Sequence, residues 1–263
     1  MKKYYDMLKK KKLNVKYIDC EKVNNNFYKL IKSENELINI FYLGDFPLQN
    51  KLENIFGKKL VINETLNFLI KTNEFVDIKK LIYKNTRYSH EEFYKYQRKK
   101  LSILIDKNDK PTGGKWSYDS ENRLPLPANI KVPETVSKVK SDKYIKEAIK
   151  YVNKNWSKNY GSLDNFIYPI DSLSSKKWLK KFIEERFKNF GVYEDAETEK
   201  SVFLFHSVLT PMMNIGLITD AEVIDISYKF YLKNTKHISI QSFEGFIRQV
   251  IGWRNYVYTL YTC

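Results

Sequence analysis

Much of the information about this chain lies in Phe205-His206-Ser207-Val208-Leu209-Thr210-Pro211-Met212-Met213-Asn214-Ile215-Gly216. Thr210 can cap a helix, and Pro211 suits its first position, where a missing N–H group costs nothing. Gly216 ends that helix, and the capping-box pattern of 219–222 starts another. Hydroxyl groups at Ser207 and Thr210 beside free N–H groups would form a phosphate cradle. An ordinary buried, capped helix explains the same pattern.

The composition is that of a basic globular protein. Its 263 residues suffice for one large domain or two modest ones. The net charge of +15 suits a polyanion such as DNA, but the 46 Lys and Arg residues are spread along the chain. A bias in codon usage explains the lysine richness equally well, so charge alone does not decide the question.

The cysteines and the apolar runs indicate a cytoplasmic protein. Cys20 and Cys263 are isolated, which predicts a reducing compartment, no disulfide and no zinc site. No apolar run approaches the ~18 residues that a membrane span needs, and no signal peptide is visible. We therefore expect no metal and no membrane partner.

The first part of the chain alternates strand-like and helix-like segments. Strands are predicted at 13–18, 38–43 and 59–62, with helices at 22–32 and 47–56 between them. This β-α-β-α-β order implies a parallel sheet. A glycine-rich fingerprint is absent from it, so nothing in this part indicates a nucleotide site.

Helical patterns occupy the following part. Residues 65–83 are predicted to be helical, and Ser89 with Glu92 forms a capping box that starts a stronger helix. His90, in the first turn of that helix, is predicted to be solvated or to act as a cap. A long loop follows at 106–127, and a loop of this length is usually functional or linking.

The second half is predicted to contain helices only. Residues 128–140 form a linker, a helix covers 141–156, and an amphipathic helix runs from Ser174 to Gly191. A final helix starts near Ser242. The expected fold is thus α/β plus all-α, with an incomplete parallel α/β domain at 1–130 and a helical domain at 131–263.

The final helix has an unusual face. Gly245 and Gly252 are seven residues apart, so a regular helix places both on one side and leaves it flat. Glycine within a helix costs about 1 kcal/mol relative to alanine. Two such residues suggest that a planar group or another helix approaches this face closely. The side chains that flank the face are Arg248, Gln249 and Trp253.

Four strings together resemble one known family. Gly113-Gly114-Lys115-Trp116 with Asp119-Ser120-Glu121-Asn122-Arg123 resembles a "GGxWxFDxENR" signature, and 190–196 resembles "FGxYxDA". Residues 243–256 are similar to "EGFIRQxIGWREY", and the Ser207–Thr210 segment to a flavin-phosphate loop. The resemblance is to the cryptochrome/photolyase family, in its deoxyribodipyrimidine photolyase-related branch of iron–sulfur bacterial cryptochromes and (6-4) photolyases.

The resemblance implies a Rossmann-like α/β domain, then part of a helical FAD-binding domain. It implies light-driven transfer of an electron from reduced FAD to a pyrimidine dimer or (6-4) photoproduct in DNA. The implied cofactor-binding residues are Tyr193, His206, Ser207, Val208, Leu209, Thr210, Gln249 and Trp253. The implied substrate-binding residues are Arg248, Trp253 and Arg254. For the Gly113–Arg123 string we expect a packing role, with Trp116 buried and Asp119 paired with Arg123.

The chain also departs from the family pattern. Asn255 replaces a glutamate, which puts the role of that position in doubt. At the start, the first strand and the antenna-pigment loop of the family pattern are missing. At the end, the catalytic histidines and the four cysteine ligands of the iron–sulfur cluster are missing. We therefore expect no catalytic residue and no iron–sulfur cluster in this chain. We expect weak or absent FAD binding and no repair unless a second chain completes the site.

Two other functions remain open. The chain could be a non-catalytic remnant or half of a split gene, acting as a basic DNA- or partner-binding protein. A basic helical DNA-binding domain unrelated to flavin also fits the charge, but it leaves the Gly-Gly-Lys-Trp and Ile-Gly-Trp-Arg strings unexplained. Flavin absorbance of the purified protein separates the first interpretation from both alternatives.

Overall fold

Short strands lie near the start of the chain, and helices make up most of the remainder. The computed structural model describes residues 1–19, 37–84, 86–134 and 142–262. The strands are β1 (Ile38–Phe41), β2 (Leu60–Asn63), β3 (Tyr83–Lys84) and β4 (Arg87–Tyr88). The helices are α1 (Lys2–Lys10), α2 (Phe46–Phe56), α3 (Phe75–Ile82), α4 (His90–Lys100), α5 (Lys143–Trp156), α6 (Ser172–Glu185), α7 (Phe187–Phe190), α8 (Thr210–Asn214), α9 (Asp220–Lys233), α10 (Ile240–Ile247) and α11 (Asn255–Thr262), with a π-helix, Arg248–Arg254, between the last two.

The β1-α2-β2 unit confirms part of the predicted sheet. β1 and β2 pair in parallel, with Ile38 opposite Leu60. The predicted strand at 13–18 is wrong, because this segment forms no ladder within the described residues. It lies instead along α1, where the ring of Tyr17 packs 5.7 Å from that of Tyr5. The predicted helix at 22–32 falls outside the described residues.

The predicted helix at 65–83 is wrong in its first half. Residues 65–71 are irregular, a 3₁₀ turn follows at Thr72–Glu74, and α3 begins only at Phe75. The carboxylate of Glu64 accepts from the N–H of Thr72 at 3.0 Å, and a side chain on α11 accepts from the N–H of Leu69. Because distant side chains satisfy these backbone groups, the segment gains little from forming a helix.

The later helices are capped as the sequence indicates. Ser89 accepts from the N–H of Glu92, and Thr219 and Glu222 form a reciprocal capping box. Asp171 caps α6, which begins at Ser172, two residues before the predicted start at Ser174. The predicted helix to Gly191 is interrupted at Arg186, beyond which only the short α7 follows. In the described residues 142–262 every main element is a helix, as predicted.

An aromatic core holds these helices together. The rings of Phe182 and Phe246 lie 5.0 Å apart, and Tyr231 stacks on Phe243 at 4.4 Å. A second cluster joins α3, α4, α11 and the irregular segment before α3 through their buried side chains: Ile70, Ile78, Ile82, Phe93, Tyr256 and Tyr258. Across the described residues, none of the helices has the length and apolar character required to cross a bilayer.

A buried arginine organises the long loop predicted at 106–127. Arg98 is fully buried and donates to the carbonyl oxygens of Leu104 at 2.5 Å and Trp116 at 2.7 Å. Its guanidinium also lies 5.2 Å from the ring centre of Trp116. Trp116 is half-buried rather than buried, and the predicted pair of Asp119 and Arg123 forms.

The contact between α7 and α10 leaves no room for a side chain at Gly191. A Cβ atom there would lie 2.5 Å from both the backbone N and the Cα of Ser242. We predict that Gly191→Ala lowers the free energy of unfolding by about 3 kcal/mol, since the helix backbones must separate. Lys180→Ala, on the exposed face of α6, should change it by less than about 0.5 kcal/mol. Urea denaturation measures both, and equal midpoints would contradict the prediction.

Candidate functional site

A π-helical turn shapes the centre of the candidate site. The side-chain Nδ2 of Asn255 donates to the carbonyl oxygen of Val250 at 2.8 Å, inside the helical ladder. Inserted groups of this kind are a recognised cause of helix distortion. The wider turn overturns the prediction that Gly245 and Gly252 share one face. Gly245 lies against Asn122 and Glu194, whereas Gly252 lies against His90 and Tyr94.

A cavity of about 1020 Å³ lies beside this turn. Residues from α10 to α11 form one wall of the cavity, and the segment before α8 forms another. The lining residues are Phe68, Asp119, Phe190, Glu194, Asp195, His206, Ser207, Val208, Leu209, Thr210, Met213, Phe246, Arg248, Gln249, Val250, Trp253, Arg254, Val257, Tyr258 and Tyr261. The lining thus combines aromatic surface with charged groups of both signs.

Nine of the ten residues predicted to bind cofactor or substrate line this one cavity. They are His206, Ser207, Val208, Leu209, Thr210, Arg248, Gln249, Trp253 and Arg254. Tyr193 is the exception: it does not line the cavity, and its ring packs 5.6 Å from that of Phe205. Nine of the predicted site residues therefore lie together at one cavity, and the binding roles of all ten stay predictions.

The segment before α8 is a strained turn. Val208 has φ of 51°, a left-handed conformation that β-branched residues rarely adopt. The turn starts α8 one residue earlier than predicted, so Leu209 occupies the cap position and Thr210 makes no capping hydrogen bond. Among the described residues, the backbone N–H groups of 207–210 meet no hydrogen-bond acceptor. Strain of this kind often accompanies function.

Arg248 is the centre of a buried charge cluster. Its Nη1 donates to Asp119 at 2.9 Å, its Nη2 to Glu194 at 3.4 Å, and its Nε lies 3.3 Å from Glu244. Glu244 is fully buried and also accepts from the hydroxyl of Tyr94 at 2.8 Å. Since its charge is shared among three carboxylates, Arg248 holds the wall together rather than offering a free cation.

Glu194 fixes the orientation of Gln249. A carboxylate only accepts hydrogen bonds, so the Nε2 of Gln249 faces Glu194 and its Oε1 is left for the cavity. Burial raises the pKa of Glu194, while Arg248 and Asn122 oppose that shift. The imidazole of His206 is the opposite case, because burial lowers its pKa and keeps it neutral near pH 7.

Asp220 and Asn255 hold Arg254 at the cavity edge. The Nε of Arg254 donates to Asp220 at 2.8 Å, and its guanidinium lies 4.7 Å from the ring centre of Phe68. Asn255 donates to the other oxygen of Asp220 at 2.7 Å. Asp220 therefore supplies the carboxylate that orients this arginine, the role left in doubt by the absence of a glutamate at position 255.

Three residues of the site were not found from sequence. Glu194 and Asp220 were read only as parts of a turn and a capping box. The prediction that His90 is solvated or a cap is wrong, because its ring is half-buried against Trp253 and its Nε2 is buried without a partner among the described residues. The i, i+4, i+7 spacing of His90, Tyr94 and Gln97 was the available signal.

No cluster of metal-binding side chains occurs in the part of the chain that the structure describes. That part does not include Cys20 or Cys263, so the cysteine predictions lie outside the described residues. The cavity lining offers backbone N–H groups, the hydroxyls of Ser207 and Thr210, one imidazole, one amide, aromatic rings and paired charges.

Comparisons with known proteins find one family and three relatives. A family model described as deoxyribodipyrimidine photo-lyase-related protein matches residues 1–168. A (6-4) photolyase of Agrobacterium fabrum is 29% identical over 221 residues, which are 83% of this chain and 42% of that protein. Two uncharacterized proteins of Acanthamoeba polyphaga mimivirus are 30% identical over 139 residues (49% of this chain, 69% of the relative) and 41% identical over 70 residues (27% and 53%). The chain spans less than half the length of the first relative.

The pH dependence of stability tests the environment of Asp220. Burial raises its pKa from 3.8 to about 6 despite Arg254 and Asn255. The native state therefore binds a proton that the unfolded state has lost, and this contribution to stability fades as the pH rises from about 4 to 7. Over that range we expect the stability of the wild type to fall by roughly 2–3 kcal/mol relative to Asp220→Asn.

Urea denaturation of both proteins at several pH values measures this difference. Asp225→Asn is the matched control, because Asp225 is an exposed carboxylate on the same helix paired with Lys229. Its stability should run parallel to that of the wild type. A constant difference between wild type and Asp220→Asn across the range would contradict the assignment.

Proposed function

Because this chain belongs to the deoxyribodipyrimidine photo-lyase-related protein family, we propose that its cavity binds FAD and that it serves the light-driven repair of UV-damaged DNA. One observation carries the proposal. Nine of the ten residues that the family resemblance selects, from two separate parts of the chain, converge on a single cavity. Fold alone would not support a function, but a convergent site does.

The residues at the cavity fit a flavin dinucleotide. The volume of about 1020 Å³ is at the upper end of the range for cofactor sites. Unpartnered N–H groups at 207–210 suit phosphate oxygens, which accept hydrogen bonds. The indole of Trp253, 45% exposed, offers a face for a flat ring, and the Oε1 of Gln249 offers an acceptor.

The proposed mechanism assigns separate tasks to these groups. Reduced FAD supplies, on excitation by light, the electron that cleaves the bond of a lesion turned out of the DNA stack. The 207–210 turn holds phosphate, and Trp253 stacks on a planar ring. Arg254, fixed by Asp220, presents positive charge at the rim. Arg248 is committed to its carboxylates, so its role is to hold Gln249 and Glu194 in position.

DNA is the proposed substrate. The net charge of +15 favours a polyanion, and the lesion would be a (6-4) photoproduct or a pyrimidine dimer. The Agrobacterium relative is called a (6-4) photolyase, which favours the first of these. The carboxylates of Asp119, Glu194 and Asp195 line the cavity, so the cavity offers no continuous positive surface for a DNA backbone. The basic surface outside the cavity is therefore the part we assign to the DNA backbone.

A second candidate is a non-catalytic DNA- or partner-binding protein. It is favoured by the exposure of apolar side chains on one side of the cavity, where Val257 is 59% and Tyr261 is 61% exposed. Apolar surfaces of this kind often mark interaction sites. A second polypeptide covering this side would close the cavity, so both candidates allow a partner that completes it.

Flavin titration tests the proposed site. Because the cavity is open beside Val257 and Tyr261, we expect FAD to bind weakly to the chain alone, with Trp253 contributing most. Aromatic stacking contributes about 1–3 kcal/mol, so Trp253→Ala should weaken FAD binding roughly 5- to 150-fold. Flavin fluorescence during titration measures the affinity.

Trp156→Ala is the matched control, because Trp156 is 47% exposed and lies on α5, away from the cavity. It should leave the affinity unchanged. Equal affinities for both variants, or no FAD binding by the wild type even at millimolar flavin, would contradict the proposal. Irradiating damaged oligonucleotide in blue light with the FAD-loaded protein then separates repair from simple binding.

The DNA interaction should be mainly electrostatic. Lysines are spread along the chain rather than gathered for base readout, so binding should follow counterion release. We predict that the association constant for a duplex of fixed sequence falls at least tenfold between 50 and 200 mM salt. Fluorescence anisotropy measures it, with a second, unrelated duplex as control. A constant that hardly changes with salt would count against this prediction.

A further inference from the structure

The Trp253 indole has two different faces. One side of the ring stacks on the imidazole of His90, with centroids 3.9 Å apart and planes 14° from parallel. The side chain remains 45% exposed and lines the cavity. Any planar group that Trp253 binds therefore meets a ring whose other face is already occupied by His90.

His90 is itself held firmly. Gly252 makes room for it: a Cβ atom there would come within 3.1 Å of the His90 Nε2. The ring of Tyr256 meets the imidazole edge-on at 5.2 Å, and that of Tyr94 lies parallel at 6.2 Å. Aromatic rings on α4 and α11, with a glycine on the π-helix, thus fix the orientation of the imidazole.

The surroundings of His90 oppose its protonation. The π-helix contributes Arg248, whose positive charge opposes protonation of the imidazole, and burial acts in the same direction. From α4 comes Tyr94, whose hydroxyl is engaged by Glu244, and from α11 comes Tyr256. Burial and the charge of Arg248 both lower the pKa of His90 below its ordinary 6.5, so the ring is neutral at pH 7.

We infer that His90 is a positioning residue that sets the orientation of the Trp253 indole at the cavity. The identity of the ligand that Trp253 binds rests on the proposed function. That ligand is a planar heteroaromatic ring such as that of a flavin or a nucleobase. A neutral imidazole supports the indole by stacking. A protonated imidazole places a cation next to the Trp253 indole and to Arg248. It changes the electron density of the indole and repels the guanidinium.

Two substitutions separate stacking from titration. His90→Phe keeps a flat ring but cannot take up a proton, whereas His90→Ala removes the ring. The indole N–H signals of the four tryptophans in a ¹H–¹⁵N NMR spectrum report the result, with Trp253 assigned by its loss in Trp253→Phe. His206→Asn is the control for the histidine that lines the cavity itself.

In the wild type and in His206→Asn, the Trp253 signal should shift with a midpoint below pH 6.5. In His90→Phe it should stay near its neutral-pH position and not titrate. In His90→Ala it should move while the other three signals stay in place, which shows that the fold is retained. Asp220 titrates in the same range beside Arg254, so the His90 variants are also compared in the Asp220→Asn background. A Trp253 signal that is unmoved in His90→Ala, or that still titrates when His90→Phe and Asp220→Asn are combined, would overturn the inference.

Flavin titration of the same variants links the position of Trp253 to binding. We expect His90→Ala to weaken FAD binding about threefold to tenfold and His90→Phe to restore it. Unchanged affinity in His90→Ala, with wild-type binding intact, would overturn the positioning role. Absence of FAD binding by the wild type would instead refute the proposed function, and the NMR signals would still decide whether His90 orients Trp253.

Discussion

The buried carboxylate of Glu244 is the constraint on which the cavity depends. A fully buried charge is tolerated only when it is paired and hydrogen-bonded. Glu244 therefore draws together the hydroxyl of Tyr94 on α4, the backbone N–H of Tyr118 in the long loop, and the guanidinium of Arg248 on the π-helix. Three separate parts of the chain meet at this side chain. Arg248 then extends the cluster to Asp119 and Glu194, so the cavity wall, the loop and the helices are fixed by one network of charges.

Local patterns predicted the helices well, because caps and apolar spacing act within a few residues. The capping box formed by Thr219 and Glu222 is an example. The errors occur where distant groups decide the backbone. Residues 65–71 resemble a helix in sequence, but the side chain of Asn255, 186 residues away, accepts from the N–H of Leu69 in another conformation. The segment at 13–18 has the composition of a strand, yet it has no ladder partner within the described residues.

The family resemblance selected residues that come together at one cavity, which the reasoning from individual residues did not. It selected side chains on both walls, although Tyr193 turned out to pack elsewhere. It did not reveal which charges neutralise which. His90 was read as a surface residue because a histidine after an N-cap is usually solvated, and only the fold shows Trp253 stacked on it. The pairing of Asp220 with Arg254 was missed for the same reason, since 34 residues separate them in the chain.

The π-helix at Arg248–Arg254 makes the hydrogen-bond pattern of this segment as important as its composition. Each residue of an α-helix advances the chain by about 100° around the axis. If the ladder closed as a regular α-helix with all its residues kept, everything beyond it would rotate by about that angle. Trp253 and Arg254 would then leave the cavity even though both side chains were still present. The hydrogen bond from Asn255 to Val250, which holds the turn open, therefore also decides which side chains line the cavity.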